Sequence, residues 1–153
     1  MTSGALQTLL DSLMAQCESE VVEFKQEDDH YATSDIGKYF SALSNEANLR
    51  GAESAWLVLG VNNKTRTVVG TDYREDTQRL MGLKHQIAQG LEPSTSFKDI
   101  HVLYTQHGRV VLFEIPAAPR GIPIAWQGHC YGRNGESLAG LSLKCCRDGK
   151  PAR

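Results

Sequence analysis

Carboxylates and a lysine crowd into one short segment near the start of the chain. The segment Glu18-Ser-Glu-Val-Val-Glu23-Phe-Lys25 places three glutamates and a lysine within eight residues. Oxygen ligands of this kind can hold a hard divalent cation, and such a cation can activate water against a phosphodiester. Glutamates near the end of a helix are more often simply solvated. The segment alone therefore leaves a metal site and an ordinary polar turn both open.

Two later stretches also carry more polar side chains than a packed core requires. Gly60-Val61-Asn62-Asn63 ends an apolar run abruptly, and sheets often present ligand-binding groups where a strand ends. In Tyr131-Gly-Arg133-Asn-Gly135-Glu136 the glycines permit close approach of a partner, and Arg133 offers a planar fork for phosphate. Turn-forming asparagines and a tight loop are the plainer interpretations, and neither stretch alone decides between them.

Basic residues are spread along the chain, but several are expected to meet in space. The chain has 16 Lys and Arg against 18 Asp and Glu, a net charge of -2. Strong non-specific DNA binders usually carry a basic excess that displaces counterions from phosphates, so a nucleic-acid face here must be local. We predict that the ends of a hairpin and of the closing loop meet the opening strand and gather five cations on one side: Lys25, Lys64, Arg66, Arg120 and Arg133.

Apolar periodicity predicts the elements that position these side chains. A period near 3.6 predicts helices over residues 3–17, from an N-cap among Thr33, Ser34 and Asp35 to about Leu49, and over residues 74–91. Alternating or continuous apolar runs predict strands at residues 19–25, 55–61, 65–71, 100–104, 109–115 and 129–133. The run 55–61 is almost wholly apolar, which predicts a central strand covered on both faces.

These elements, in this order, predict one α/β domain of the α+β type across residues 1–153. Its mixed, largely antiparallel sheet would carry two or three packed helices, and the polar residues from 142 onward are expected to fray. The longest apolar runs are far too short to span a bilayer. Residues 1–16 lack the basic and apolar regions of a signal peptide, so we expect a cytoplasmic protein that makes no membrane contact.

Several common enzyme classes find no support in the sequence. It contains no Gly-x-x-x-x-Gly-Lys-[Ser/Thr] loop for ATP, no Gly-x-Ser-x-Gly elbow and no His-Glu-x-x-His pattern. Its four cysteines lack the paired spacing of a zinc site and are interpreted as reduced thiols: Cys17, Cys130, Cys145 and Cys146. Trp126, in a proline-flanked loop, is interpreted as a packing residue, with stacking on a base as the alternative.

Taken together, the three polar stretches resemble the AlbA_2 domain, which occurs in bacterial DNA-binding regulators and in the core of vertebrate Schlafen proteins. The resemblance rests on Glu-x-x-x-x-Glu-Phe-Lys at 18–25, the helix Asp35-Ile-Gly-Lys-Tyr-Phe-Ser-Ala-Leu-Ser-Asn45, the strand Trp56-Leu-Val-Leu-Gly-Val61 that follows, and the closing element from Pro123 to Ser137. The return Val68-Val69-Gly70-Thr71 is similar as well, so the resemblance covers about residues 16–142.

The resemblance has implications for the carboxylates. In Schlafen nucleases, two glutamates and an aspartate bind a metal ion, which the enzyme needs to cleave tRNA and other structured RNA. The resemblance places Glu18 and Glu23 on the glutamate positions, as catalytic and Mg- or Mn-binding residues if the chain is a nuclease, but it places Asn62 on the aspartate position. Asparagine is neutral and a weaker ligand for a hard cation. Asp28 and Asp72 are possible substitutes for the missing aspartate, but their positions in the sequence do not favour either one.

Three functions stay open. The first is a nucleic-acid-binding module with a regulatory role, for DNA in preference to RNA, in which Lys25, Arg66 and Arg133 contact phosphate. The second is a metal-dependent endoribonuclease, and the third is a non-catalytic dimerisation or interaction module. Because the Schlafen core comprises two such lobes in one chain, the resemblance also implies a homodimer. No cofactor is expected beyond the Mg or Mn of the nuclease alternative.

Overall fold

Three helices and ten short strands make up the part of the chain that the structure describes. The computed structural model describes residues 2–15, 21–134 and 137–140, and their side chains as far as residue 132. The helices are α1 (Ser3–Ala15), α2 (Thr33–Leu49) and α3 (Thr77–Gly90). The strands are β1 (Val22–Lys25), β2 (Ser54–Leu59), β3 (Val61–Asn62), β4 (Thr67–Val68), β5 (Leu91–Glu92), β6 (Asp99–Thr105), β7 (Gly108–Pro116), β8 (Ala125–Trp126), β9 (His129–Asn134) and β10 (Ser137–Gly140).

The central sheet has the order β1-β2-β7-β6. Strand β1 runs parallel to β2, and the other two pairings are antiparallel. The parallel pair forms because α2 connects β1 to β2 as a crossover, whereas β6 and β7 are joined by the tight turn at residues 106–107. A mixed, largely antiparallel sheet with three packed helices confirms the fold class that the sequence predicts.

The sheet buries a core on each face. On one face, Leu57 and Leu59 of β2 pack with the apolar stripes of α2 and α3, and on the other, Val58 packs with Leu10 of α1. Alternate residues of a strand point to opposite faces, so an apolar run such as β2 must be covered twice. The prediction of a central strand buried on both faces is confirmed.

A second four-stranded sheet, ordered β10-β9-β8-β5, lies against α2. Buried polar side chains of α2 hold it there. The Asn45 amide group donates to the carbonyls of Ile124 and Tyr131 at 3.1 and 2.8 Å, and its carbonyl oxygen accepts from the Ile124 N–H at 2.8 Å. Ser41 donates to the Ile124 carbonyl and accepts from the Tyr131 N–H. These bonds satisfy backbone groups that the packing of the two layers removes from water.

Several predicted boundaries are wrong in informative ways. The run 55–61 is not one strand, because Gly60 turns with φ +104° and separates β2 from β3. The predicted return 65–71 pairs only at Thr67–Val68. Helix α2 begins at Thr33 after Ala32, which gives no side-chain cap, whereas α3 begins later than predicted, after the N-cap Asp76. Strands β5 and β8 are too short to leave an alternating pattern.

Trp126 is a core residue. It lies in β8, is 4% exposed, and packs between α2 and α3, where Gly37 and Gly90 face its indole ring. A Cβ atom added at either glycine would fall 2.3 Å from the ring, so the two helices accommodate the tryptophan only because these positions lack side chains. The interpretation of Trp126 as a packing residue is confirmed, and the base-stacking alternative is wrong.

Two further sequence expectations can be compared with the described residues. Within them, no helix is long and apolar enough to cross a membrane. Cys130 is buried in β9, while Cys17, Cys145 and Cys146 lie outside the described residues, as does the tail predicted to fray from 142.

Candidate nucleic-acid interface

A groove opens where β1 and β2 end together. Lys25 is opposite Leu59 in the parallel pairing, and the Gly60 N–H donates to the Lys25 carbonyl at 2.9 Å. Beyond this point Gly60 turns the chain into β3, which leaves a cavity of about 350 Å³ beside the strand ends. We call it the β1 groove, and its lining residues are Glu23, Phe24, Lys25, Gln26, Asn62, Asn63 and Lys64.

Lys25 is held at the groove by Tyr39 of α2. Its ammonium nitrogen lies 5.0 Å from the centre of the Tyr39 ring. Partial burial lowers the pKa of Lys25, but hydrogen bonding to the Tyr39 side chain and the nearby carboxylates of Glu23 and Glu27 outweigh burial and raise it above its ordinary value. Lys25 therefore keeps its positive charge throughout the neutral pH range.

Two further predicted cations reach the same end of the sheet. Lys64 lines the β1 groove and is exposed. Arg66 stacks its guanidinium over the ring of Phe24, 4.8 Å from the ring centre, and its Nε donates to the Asn63 carbonyl at 3.0 Å. Cation–π stacking and the hydrogen bond fix the orientation of the guanidinium. Lys25 and Lys64 thus line one groove, and Arg66 lies against Phe24, another residue of the groove lining.

The other two predicted cations, Arg120 and Arg133, are not found at the β1 groove among the described side chains. Arg120 is exposed in the loop after β7, and β7 ends at Pro116 opposite Ser54, the first residue of β2. Lys25 is opposite Leu59 at the other end of β2, so the structure does not bring Arg120 to the β1 groove. The backbone of Arg133 lies in β9 opposite Leu138, but its side chain lies outside the described residues.

Asn62 forms a turn. Its side-chain oxygen accepts from the N–H groups of Lys64 and Thr65 at 2.9 and 3.0 Å, and its amide nitrogen donates to the Gln26 side chain at 3.0 Å. This is the local side chain-to-backbone pattern that asparagine adopts after strands. The side-chain oxygen that a cation would need is therefore already used twice.

The described carboxylates do not fit the metal site that the resemblance implies. Glu23 lines the groove and is 4% exposed, and Glu18 lies outside the described residues. Asp28 and Asp72, the possible substitutes, line a neighbouring cavity with Glu27 instead. Across residues 2–15 and 21–132, no group of three His, Cys, Asp or Glu side chains is arranged to hold a metal ion.

An acidic surface adjoins the β1 groove, and it includes Asp28 and Asp72, which the sequence analysis named only as substitute metal ligands. The neighbouring cavity, of about 430 Å³, shares Gln26 with the groove. The Asp29 N–H donates to Asp72 at 3.0 Å, and Thr71 donates to the Glu27 carbonyl at 2.6 Å, which ties the loop after β1 to the loop after β4. We call its four carboxylates the acidic rim: Glu27, Asp28, Asp29 and Asp72.

Asp29 of the rim stays charged at neutral pH. The Arg74 N–H donates to Asp29 at 2.7 Å and, together with the nearby Arg79, holds the pKa of Asp29 below its ordinary value. His30, which lies close to the glutamates in sequence, has a largely exposed side chain 3.4 Å from Asp28.

The sequence analysis predicted neither the acidic rim as a surface nor a role for Tyr39. Tyr39 had a signal, because it lies three residues from Ile36 and four from Leu43, which line the buried side of α2.

The fold and the groove define a small α+β domain with a cluster of cations at one end of its central sheet. The chain belongs to the Schlafen AlbA_2 family, whose family model matches residues 18–142. The resemblance inferred from the sequence is confirmed.

Two solved structures share the fold. The chain is 16% identical to the DIP2311 protein from Corynebacterium diphtheriae, with a TM-score of 0.63 over 97% of this chain and 28% of that one. It is 21% identical to the N-terminal domain of an ATP-dependent DNA helicase RecG-related protein from Nitrosomonas europaea, with a TM-score of 0.56 over 88% of this chain and 90% of that one. The chain therefore spans little more than a quarter of the DIP2311 chain. No curated protein matches it.

Proposed function

We propose that this chain is a nucleic-acid-binding module that binds DNA in preference to RNA through the β1 groove. The observation that carries the proposal is that Lys25 and Lys64 line this groove and Arg66 lies against Phe24 of its lining, although the chain as a whole has a net charge of -2. Cations that gather locally on an acidic protein can contact phosphates without a general basic excess.

Two comparisons support this proposal. Membership of the Schlafen AlbA_2 family associates the chain with domains that act on nucleic acid. The likeness to the N-terminal domain of a DNA helicase RecG-related protein associates the same fold with a DNA-directed protein. A regulatory role and a cytoplasmic location are further parts of the proposal, in keeping with the sequence analysis.

The binding test uses labelled DNA and the alanine variants of Lys64 and Arg66. We expect salt-sensitive binding by the natural chain. Each variant should weaken binding by a similar factor for every DNA sequence and flatten the slope of log affinity against log salt by about one unit, because each removes about one phosphate contact. Fluorescence anisotropy at several salt concentrations measures both effects.

Arg120→Ala is the matched control, since it removes one positive charge at the opposite end of β2. Its affinity and salt slope should equal those of the natural chain. Loss of binding in Arg120→Ala equal to that in Arg66→Ala would show that net charge, and not the β1 groove, determines binding. Absence of binding at low salt would leave a protein-interaction module as the function to test.

A metal-dependent ribonuclease is the second candidate, because Glu23, which the resemblance places at the metal, lines the groove. The described residues supply one carboxylate there, so we expect no cleavage of tRNA when Mn²⁺ is added. Gel analysis of labelled tRNA with Mn²⁺ or with a chelator checks this. Cleavage that disappears in Glu23→Ala would instead establish the nuclease.

We also propose a homodimer. The Schlafen core joins two such lobes in one chain, and two copies of this chain would form a comparable pair. Sedimentation equilibrium should show a mass that rises from about one to two chains as the concentration increases. A single-chain mass at the highest concentration would contradict the dimer and leave the DNA-binding proposal untouched.

A further inference from the structure

The acidic rim lies beside the β1 groove, which Lys25 and Lys64 line. Glu27 follows Gln26, which lines both cavities, and is only two residues from Lys25. Consecutive Cα atoms are about 3.8 Å apart, so the backbones of Glu27 and Lys25 are close, and the Glu27 carboxylate is near enough to Lys25 to help raise the pKa of that lysine. A phosphate bound by Lys25 therefore interacts with the rim as well.

The rim is also fixed in place. Asp28 accepts from the His30 N–H at 2.8 Å, Asp29 from the Arg74 N–H and Asp72 from the Asp29 N–H. Side chains that accept backbone hydrogen bonds cannot turn away from an approaching anion without losing those bonds. The boundary between positive and negative surface is thus part of the fold, and it lies at Gln26.

We infer that the β1 groove selects a single-stranded segment or a strand end, and that the acidic rim excludes a continuous duplex. This inference rests on the proposed nucleic-acid binding. Double-stranded DNA carries one negative charge per about 1.7 Å of its axis, distributed over two strands. A duplex that touches Lys25, Lys64 and Arg66 has further phosphates on both sides of the contact, whereas a flexible single strand can bend away from the rim.

The dimensions of the groove agree with a short contact. Its volume of about 350 Å³ is at the lower end of the range of about 300–1,000 Å³ for ligand pockets. Three cations neutralise about three phosphates, so binding of a single strand should show a salt slope of about 2. A longer basic track, as expected for a duplex binder, would give a much steeper slope.

The experiment compares a ten-nucleotide oligothymidylate with a 20-base-pair duplex DNA, both labelled, at low salt and in the presence of a chelator. We expect the single strand to bind about tenfold more tightly. In the double variant Asp28→Asn, Asp72→Asn, the duplex should gain about tenfold in affinity and the single strand less than threefold, because removing carboxylates near the groove relieves repulsion from the extra phosphates. Asparagine retains the oxygen that accepts each backbone hydrogen bond.

The matched control is Glu53→Gln with Glu92→Gln, which makes the same change in net charge at exposed positions before β2 and in the second sheet. It should leave the preference for the single strand unchanged. Equal binding of both probes by the natural chain, or an equal gain in the rim and control variants, would overturn the inference while keeping the proposed function. Failure to bind either probe would overturn both.

Discussion

Replacing Asn45 with alanine should lower the free energy of unfolding by about 2–4 kcal/mol. The substitution removes three hydrogen bonds and leaves the Ile124 N–H and the Tyr131 carbonyl without the partner that satisfies them, and each unsatisfied buried group costs about 1–3 kcal/mol. Because Asn45 joins α2 to the second sheet, we expect the loss to loosen the packing between those two layers. Urea denaturation followed by tryptophan fluorescence measures the change, and Trp126 in β8 reports on the second sheet.

Asn48→Ala is the control on the same helix. Asn48 lies one turn nearer the end of α2 and is only partly buried. Alanine is the better helix former, so this variant should change stability by less than about 0.7 kcal/mol. Equal losses in the two variants would show that Asn45 contributes no special link between the layers.

Alanine at Gly37 and alanine at Gly82 should change stability in opposite directions. Both glycines lie inside helices, where alanine normally stabilises by about 0.5–1 kcal/mol. At Gly82 the new methyl group meets no atom within 4 Å, so that gain should be seen. At Gly37 it falls 2.3 Å from the Trp126 ring, and such overpacking of a core costs about 1–3 kcal/mol. Thermal unfolding should therefore show a raised Tm for Gly82→Ala and a lowered Tm for Gly37→Ala.

A second variant tests the cause of the loss. Combined with Trp126→Leu, which removes the ring, Gly37→Ala should cost less than it does alone. If the two substitutions are simply additive, or if Gly37→Ala raises the Tm, the contact between helix and ring is not what requires glycine at this position. The same reasoning applies to Gly90, which faces the other part of the ring.

Local sequence patterns determined most of the elements and the family. The helical period placed α1 and α2 within a few residues, and the apolar run at 55–61 identified the strand with cores on both of its faces. The motifs that carried the resemblance are now seen to include structural residues. Ser41 and Asn45, from the helix motif, bind the backbone of the second sheet, and Asn62 forms the turn after β3.

Only the tertiary structure decided how the charges are distributed. Of the five cations expected to meet, Lys25 and Lys64 line one groove and Arg66 lies against its Phe24. The direction of β7 places Arg120 at the far end of β2, and the side chain of Arg133 lies outside the described residues. The acidic rim combines loops more than 40 residues apart in sequence, joined by the bond from the Asp29 N–H to Asp72. Charge and periodicity are local properties of a sequence, whereas strand direction and loop contacts depend on how the sheet pairs. The sequence by itself therefore determined the class of domain, and the pairing of the strands decided which charges share a surface.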